Sequence, residues 1–118
     1  MSRHDPLSHI KHMLEYTREA CDMARGHTLE ELKTNRQLEL ALVRLMEIVG
    51  EAATRLSEDF KRRYPDVPWR PITALRNRLI HAYDLVDLDI LWTIISQELS
   101  PLIGQLESIL EKESNKLR

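Results

Sequence analysis

The chain has 118 residues, a length that predicts one domain over residues 1–118 with enough apolar side chains for a core. Of its residues 42% are hydrophobic and 31% charged, and 17 basic against 19 acidic residues give a formal net charge of −2, which by itself predicts no nucleic-acid binding. The single cysteine, Cys21, excludes an internal disulfide, and no apolar run approaches the ~18 residues of a membrane span. The N-terminal MSRHDPLSHIKHM also lacks a signal-peptide core, so we expect a soluble, cytoplasmic protein.

The first half of the chain is predicted to form three helices. Apolar residues at helical spacing indicate a helix from about residue 6 to 25, with Asp5 as its cap and Gly26 at its end. Thr28 begins a capping-box pattern that opens a short second helix. Asn35 is placed to cap a third helix, and the apolar stripe of that helix consists of Leu38, Leu42, Leu45, Val49, Ala52 and Leu56.

The segment YPDVPWRP marks the clearest break, because it has three prolines within seven residues. A fourth helix is expected to follow Asp66 or Val67, with Pro68 and Pro71 in its first turn, where a missing N–H costs little. This helix should end near residue 80 or 81.

Asp87 is placed to cap a last long helix. Its apolar positions are Leu88, Leu91, Trp92, Ile95, Leu99, Leu102, Leu106, Ile109 and Leu110. Pro101 lies inside this pattern and should kink the helix, because the periodicity resumes after it. We therefore predict an all-α, up-and-down bundle of four to five helices with a kinked C-terminal helix.

Positive charge is concentrated in residues 61–78. Six basic residues stand there against one acid, Asp66, which gives this segment a net charge of +5: Lys61, Arg62, Arg63, Arg70, Arg76 and Arg78. The near-neutral total thus conceals a local basic patch on the sequence.

Polar side chains cluster in RNRLIHAY, residues 76–83, at the end of the fourth predicted helix. Asn77 and Arg78 are four and three residues before His81, so each shares a helical face with it. Arg76 is five residues before His81, which separates the two by roughly 140° around the helix axis. They meet only if the arginine bends round, if the helix unwinds at His81, or if a second subunit completes the site. The last alternative predicts a two-fold homodimer with both copies of the motif facing one cleft.

Cleavage of RNA without a metal is the chemistry that such residues can perform. A histidine can take a proton from a ribose 2′-hydroxyl or give one to the leaving oxygen, and an arginine can hold the phosphate. Asn77 can orient either group. A structural alternative stays open, because a histidine near a helix C-terminus is often a cap, exposed arginines are usually solvated, and Tyr83 can serve packing.

Two further patterns are weighed against structural explanations. His9 and His12 lie three residues apart on the first helix, but their surroundings do not supply the convergent ligands of a zinc site, so no metal or other cofactor is expected. Cys21 is interpreted as a buried small hydrophobic residue. Trp69 and Trp92 are expected to pack the core, although Trp69 stands beside Arg70, where it can stack on a base.

The sequence resembles that of HepT-like toxins in the HEPN superfamily. RNRLIHAY is similar to their R-x4-H-x-Y signature, LMEIVGEAATRL resembles their central helix, YPDVPWRPI their proline-tryptophan turn, and VDLDILWTII their last helix. The resemblance covers nearly the whole chain. Pro71 departs from the usual pattern, although proline is compatible with the first turn of a helix.

The resemblance implies a homodimeric endoribonuclease toxin of a type II or type VII-like toxin–antitoxin pair, whose partner is a minimal nucleotidyltransferase antitoxin. By motif position Arg76 and His81 would be catalytic, Asn77 supportive, and Tyr83 the tyrosine that the partner adenylylates to silence the toxin. Contacts to the RNA backbone are expected from Arg78, Arg70, Lys61, Arg62 and Arg63. The alternative function is that of a helical subunit that catalyses nothing and presents substrate or surface to a nucleotidyltransferase.

Overall fold

The computed structural model describes residues 5–81 and 85–116, which are helical over most of their length. The helices are α1 (Pro6–Ala24), α2 (Leu29–Thr34), α3 (Arg36–Thr54), α4 (Glu58–Arg63), α5 (Trp69–Thr73), α6 (Leu75–Leu79), α7 (Leu88–Thr93) and α8 (Leu99–Lys116), with a π-helical turn at Ile94–Glu98 joining α7 to α8. The predicted all-α class is confirmed. Several elements are shorter than expected, so the helices outnumber the predicted four to five.

The core lies between the three long helices. α1 packs against both α3 and α8, while α5 and α6 pack against α3. The largest fully buried side chains are Phe60, Ile10, Met13, Leu32, Leu42, Met46, Leu79, Leu91, Ile94, Leu99, Leu106 and Ile109. Within residues 5–81 and 85–116, no helix is both long and apolar enough to span a membrane.

The predicted starts of the first three helices are confirmed by their capping bonds. The Leu7 N–H donates to Asp5 Oδ1 at 2.9 Å, and the Leu38 N–H donates to Asn35 Oδ1 at 3.0 Å. At α2 the Thr28 hydroxyl accepts from the backbone of the third residue after it, at 3.2 Å. Such bonds satisfy donors that the first turn of a helix leaves unpaired.

The middle of the chain departs from prediction in two ways. α4 was not expected, and its start is capped by Ser57, whose hydroxyl accepts from the Phe60 N–H at 3.1 Å. The fourth predicted helix begins at Trp69 rather than after residue 66 or 67, and Ala74 divides it into α5 and α6. Its late start has a local cause, because the N–H groups of Val67 and Trp69 are taken up in tight turns.

The expected kink of the C-terminal helix is confirmed, and its cause is more than the proline. In the π-helical turn the Leu99 N–H reaches back five residues to the Ile94 carbonyl. Pro101 follows two residues after Leu99 and has no N–H to continue the regular ladder of backbone hydrogen bonds. A widened turn next to a proline is a usual way for a helix to change direction.

Candidate active site

The motif-bearing helices sit on α3 at a close contact. A Cβ atom added to Gly50 would lie 3.1 Å from the Ile72 carbonyl oxygen and 3.5 Å from Leu75 Cβ. Glycine thus leaves room for α5 to approach α3 this closely, and any side chain at position 50 would require the Ile72 carbonyl to shift by a few tenths of an ångström. Ile72, Leu75 and Leu79 are buried on this face, which leaves the side chains of Arg76 and Asn77 exposed.

His81 lies just beyond the end of α6. Ile80 is extended, with φ −109° and ψ 121°, and forms an isolated antiparallel bridge with Val86. The His81 N–H donates to the Leu85 carbonyl at 2.8 Å, and the Asp87 N–H donates to a carbonyl at the end of α6 at 2.9 Å. Local backbone pairing thus ends the helix and holds an exposed histidine.

Asp87 has two roles beside this histidine. Its Oδ1 accepts the Ile90 N–H at 3.0 Å and so caps α7, as predicted, while its Oδ2 lies 3.5 Å from His81 Nε2. The hydrogen bond from Ile90 is the main cause that lowers the pKa of Asp87, and His81 lowers it further against the opposing effect of burial. An ionised carboxylate therefore lies beside one nitrogen of the imidazole, at the long end of hydrogen-bonding distance.

Arg76 and Asn77 share a groove of about 410 Å³ between α3 and the motif, called the motif groove. Its lining consists of Arg44, Glu47, Gly50, Glu51, Thr54, Thr73, Arg76 and Asn77. Arg76 is 64% exposed, and its Nη1 lies 3.2 Å from Glu47 Oε2. The guanidinium is thus placed by one carboxylate and still has donors open to a ligand.

The chain brings Arg76 and Asn77 together but leaves His81 apart from them. Among the hydrogen bonds and ion pairs of the described residues, none joins His81 to Arg76. Because α6 ends at Leu79, helical alignment of His81 with Asn77 or Arg78 does not hold. Of the alternatives, the structure shows that the helix unwinds before His81. Tyr83 lies outside the described residues.

Most of the residues expected to contact RNA are already paired with carboxylates. Arg78 makes two bonds to Glu98, at 3.1 and 2.7 Å, and its Nη1 also lies 3.4 Å from a backbone carbonyl. The other ion pairs are Lys61–Glu58 at 3.6 Å, Arg62–Asp59, and Arg63–Glu113 at 3.5 Å. All four of these acids lie outside residues 61–78, so most of the positive charge expected from the sequence is neutralised by ion pairs in the fold. Arg70 is exposed and has no carboxylate partner among the described residues.

Three residues near the motif were not assigned to the site from the sequence. The sequence predicts Asp87 only as a helix cap, and it indicates no role for Glu47 or Arg44. Glu47 and Arg44 are three residues apart on α3, so their common face could have been found. The pairing with Arg76 and His81 depends on contacts across the fold, which no local pattern contains.

The remaining candidates behave as packing groups. Cys21 is half-buried rather than buried, and burial is the main cause that raises the pKa of its thiol, which disfavours a thiolate. Trp69 and Trp92 are half-buried against the core. Among residues 5–81 and 85–116, no group of three or more His, Cys, Asp or Glu side chains is placed to hold a metal ion.

Comparison with known proteins points to one family. The profile of a family described as ribonuclease HepT-like matches residues 13–109. The chain is 36% identical over 95 residues to a Thermococcus cleftensis protein named a probable ribonuclease HepT, with 80% of each chain covered. Proteins named as RNases in Methanocaldococcus jannaschii and Caldanaerobacter subterraneus subsp. tengcongensis are 31% and 33% identical, over 94% and 92% of this chain and 92% and 96% of theirs. No solved structure gives a significant match.

Proposed function

The chain belongs to the HepT-like ribonuclease family of nucleases, and we propose that it is a metal-independent endoribonuclease that acts as the toxin of a toxin–antitoxin pair. The observation that carries this proposal is the placement of His81. Its exposed imidazole stands beyond the end of α6 with Asp87 behind it, while Arg76 opens onto an adjacent groove. A proton-transfer group and a phosphate-binding group are thus both accessible on one segment.

The proposed reaction is transfer of the phosphate to the neighbouring 2′-oxygen. The 2′-oxygen forms a bond to phosphorus as its proton leaves to an imidazole, and the bond from phosphorus to the 5′-oxygen breaks as that oxygen gains a proton. The products are a 2′,3′-cyclic phosphate and a free 5′-hydroxyl. Arg76 stabilises the charge on the phosphate oxygens, and Asn77 orients the phosphate in the motif groove. Asp87 holds the imidazole by its charge.

A homodimer completes this chemistry in our proposal. Within one chain His81 makes no bond to Arg76, and one imidazole cannot at the same moment accept one proton and donate another. Two copies related by a two-fold axis would supply an imidazole on each side of the phosphate. The RNA backbone would extend over Arg70 and the neighbouring Lys61, Arg62, Arg63 and Arg78, which must exchange their carboxylates for phosphates.

Substitutions in the motif test the catalytic proposal. His81→Ala and Arg76→Ala should each lower the cleavage rate of a fluorescent RNA by about 10²- to 10⁴-fold while the circular dichroism spectrum is unchanged. The matched control is His27→Ala, which removes a histidine whose Nδ1 pairs with Glu31 at 2.8 Å, away from the motif. EDTA should not affect the rate. Cleavage that survives His81→Ala, or that requires a divalent ion, contradicts the mechanism, and wild-type protein with no RNase activity favours the non-catalytic subunit.

Tyr83 is proposed as the site at which a minimal nucleotidyltransferase silences the toxin by attaching AMP. The tyrosine oxygen would form the new phosphate ester as pyrophosphate leaves ATP. The bulky group would then be attached two residues after His81. Its negatively charged phosphate would compete with RNA for the donors of Arg76, because an added phosphate pairs with arginine through its charge and its acceptor oxygens.

Mass spectrometry of Tyr83 tests the silencing. After co-expression with the cognate nucleotidyltransferase, the peptide containing Tyr83 should carry one AMP, and the modified protein should lose its RNase activity. Tyr83→Phe should remain active and toxic in the presence of the partner. Full neutralisation with an unmodified Tyr83 shows that inhibition proceeds by occlusion instead.

A further inference from the structure

Two arginines of the described residues differ from the others because they form no ion pair. Every arginine within residues 5–81 and 85–116 is ion-paired with a carboxylate, except Arg44 and Arg70. Both are exposed. A paired arginine already directs part of its donors to a carboxylate, whereas an unpaired one has all of them available and exchanges only water for a phosphate. Arg44 and Arg70 are therefore the arginines best prepared to receive an anion.

These two arginines line adjoining grooves. Arg44 lies on the motif groove, and Arg70 lies on a second groove of about 500 Å³, called the indole groove. Thr73 lines both, so the two grooves meet at this residue. The full lining of the indole groove is Glu58, Lys61, Arg62, Pro65, Trp69, Arg70 and Thr73. A ligand can thus pass from Arg76 over Thr73 to Arg70 without leaving a concave surface.

Trp69 gives the indole groove an aromatic wall in a fixed position. Its Nε1–H donates to the Tyr64 carbonyl at 3.0 Å and to the Lys61 carbonyl at 3.2 Å. These bonds anchor the polar edge of a half-buried ring that also lines the groove. A ring held in place by the protein loses little conformational entropy when a base stacks on it.

We propose that the indole groove is a nucleotide subsite for single-stranded RNA, in which a base stacks on Trp69 while Arg70 and Arg44 hold the phosphates on either side of the motif. This subsite rests on the proposed ribonuclease function and defines its substrate class. Thr73 lies between Arg70 and Arg76 in the chain and lines both grooves. This shared wall places the Trp69 subsite at a nucleotide close to the scissile phosphate.

The choice of a single strand follows from the stacking. In an RNA duplex the bases are stacked and paired, and the faces that Trp69 requires are not available. An unpaired strand can turn one base out onto an aromatic ring while its phosphates follow a line of cations. Stacking is tolerant of sequence, so this subsite selects unpaired segments rather than a particular base.

Fluorescence of single-tryptophan proteins tests the stacking. In a His81→Ala background that prevents cleavage, Trp92→Phe leaves Trp69 as the only tryptophan. Titration with an unpaired RNA oligonucleotide should quench this fluorescence, and the same sequence annealed into a duplex should not. The matched control is Trp69→Phe, in which the remaining Trp92 lines a different groove with Cys21 and should not respond. Absence of quenching with the single strand, or equal quenching with the duplex, overturns the subsite.

Salt dependence tests the phosphate contacts. Arg70→Ala should weaken binding of the single strand by about tenfold and lower the slope of log K against log salt by about one. Arg25→Ala is the charge-matched control, because Arg25 is exposed but already paired with Asp22 at 3.0 Å. An unchanged slope in Arg70→Ala overturns the contact. Binding with quenching but no cleavage by wild-type protein would refute the ribonuclease function alone, and cleavage without any effect of Arg70 or Trp69 would refute the subsite alone.

Discussion

Two regions of the molecule are stabilised in different ways. The frame, made of α1, α3 and α8, consists of long helices that bury apolar side chains against each other. The motif segment, residues 69–81 and 85–87, contains two five-residue helices, the extended residues Ile80 and Asp87, and one isolated bridge. Helices this short are not stable alone, so the shape of the motif segment depends on its contacts with the frame.

The difference shows where single substitutions should affect function. In the frame many apolar contacts share the stabilisation, and most side chains have several neighbours of the same kind. In the motif segment the geometry depends on a few identifiable contacts: the approach of Ile72 to Gly50, the bridge between Ile80 and Val86, and the cap made by Asp87.

Gly50→Val, at the contact between the frame and the motif segment, should lower stability and cleavage more than a glycine substitution elsewhere in the frame. The added methyl groups would meet the backbone carbonyl of Ile72, which cannot turn away as a flexible side chain could. We expect the free energy of unfolding to fall by about 1–3 kcal/mol, and RNA cleavage to fall more than stability predicts, because α5 must move and carry the motif groove with it. Urea denaturation and a cleavage assay below the melting temperature measure the two effects.

Gly104→Ala is the matched control in the frame. A Cβ built there meets no described atom within 4 Å apart from its chain neighbours and the backbone of its own helix, and the position is inside α8. Alanine should raise the free energy of unfolding by about 0.5–1 kcal/mol, because glycine is a poor helix former, and leave cleavage unchanged. If Gly50→Val retained full activity, the comparison between frame and motif segment would be wrong.

Local signals made most of the helix starts predictable from the sequence, in the frame and outside it. Asp5, Thr28, Asn35 and Asp87 were each recognised as caps, and each accepts the expected backbone hydrogen bond. The apolar stripes at helical spacing correctly placed the long helices. These features act over a few residues, so sequence periodicity contains them. α4 was missed although Ser57 gives the same kind of signal at its start.

The site was less predictable because its geometry depends on distant pairing. The helix was expected to end near residue 80 or 81 and α6 ends at Leu79, but the bridge from Ile80 to Val86 that follows it was not indicated by any pattern in RNRLIHAY. The carboxylates that pair with Arg76 and Arg78 come from α3 and from the π-helical turn. The sequence did indicate the right residue types, and the fold determines which of them remain available to a ligand.

Substitution of Asp87 by asparagine should lower stability less than Gly50→Val does, and should act mainly on the rate of cleavage. Asp87→Asn retains a good capping residue for α7 but removes the charge beside His81, so the melting temperature should fall little. Cleavage should fall by up to about 10²-fold, because the imidazole loses the group that orients it. Asp87→Ala should also lower the melting temperature, since the Ile90 N–H loses its acceptor. Equal cleavage by Asp87→Asn and wild type would show that the carboxylate serves α7 alone.

The smallest expected effect is the acid dependence that Asp87 confers. Because the folded protein lowers the pKa of Asp87 below its ordinary value of 3.8, chiefly through the Ile90 N–H and further through His81, its contribution to stability is present above that value. It is lost as the pH falls through the folded pKa. The difference in melting temperature between wild type and Asp87→Asn should therefore be constant near neutral pH and shrink below about pH 4.

Glu113 provides the control in the frame: burial tends to raise its pKa, but hydrogen bonds from Tyr64 and Lys116 and the charge of Arg63 lower it overall. Glu113→Gln should remove a separate part of the acid dependence of stability, because this carboxylate joins α8 to the end of α4 and makes no bond to the motif segment among the described residues. An acid-induced loss of activity that persists in Asp87→Asn but disappears in Glu113→Gln would place the sensitive contact in the frame and reverse the comparison.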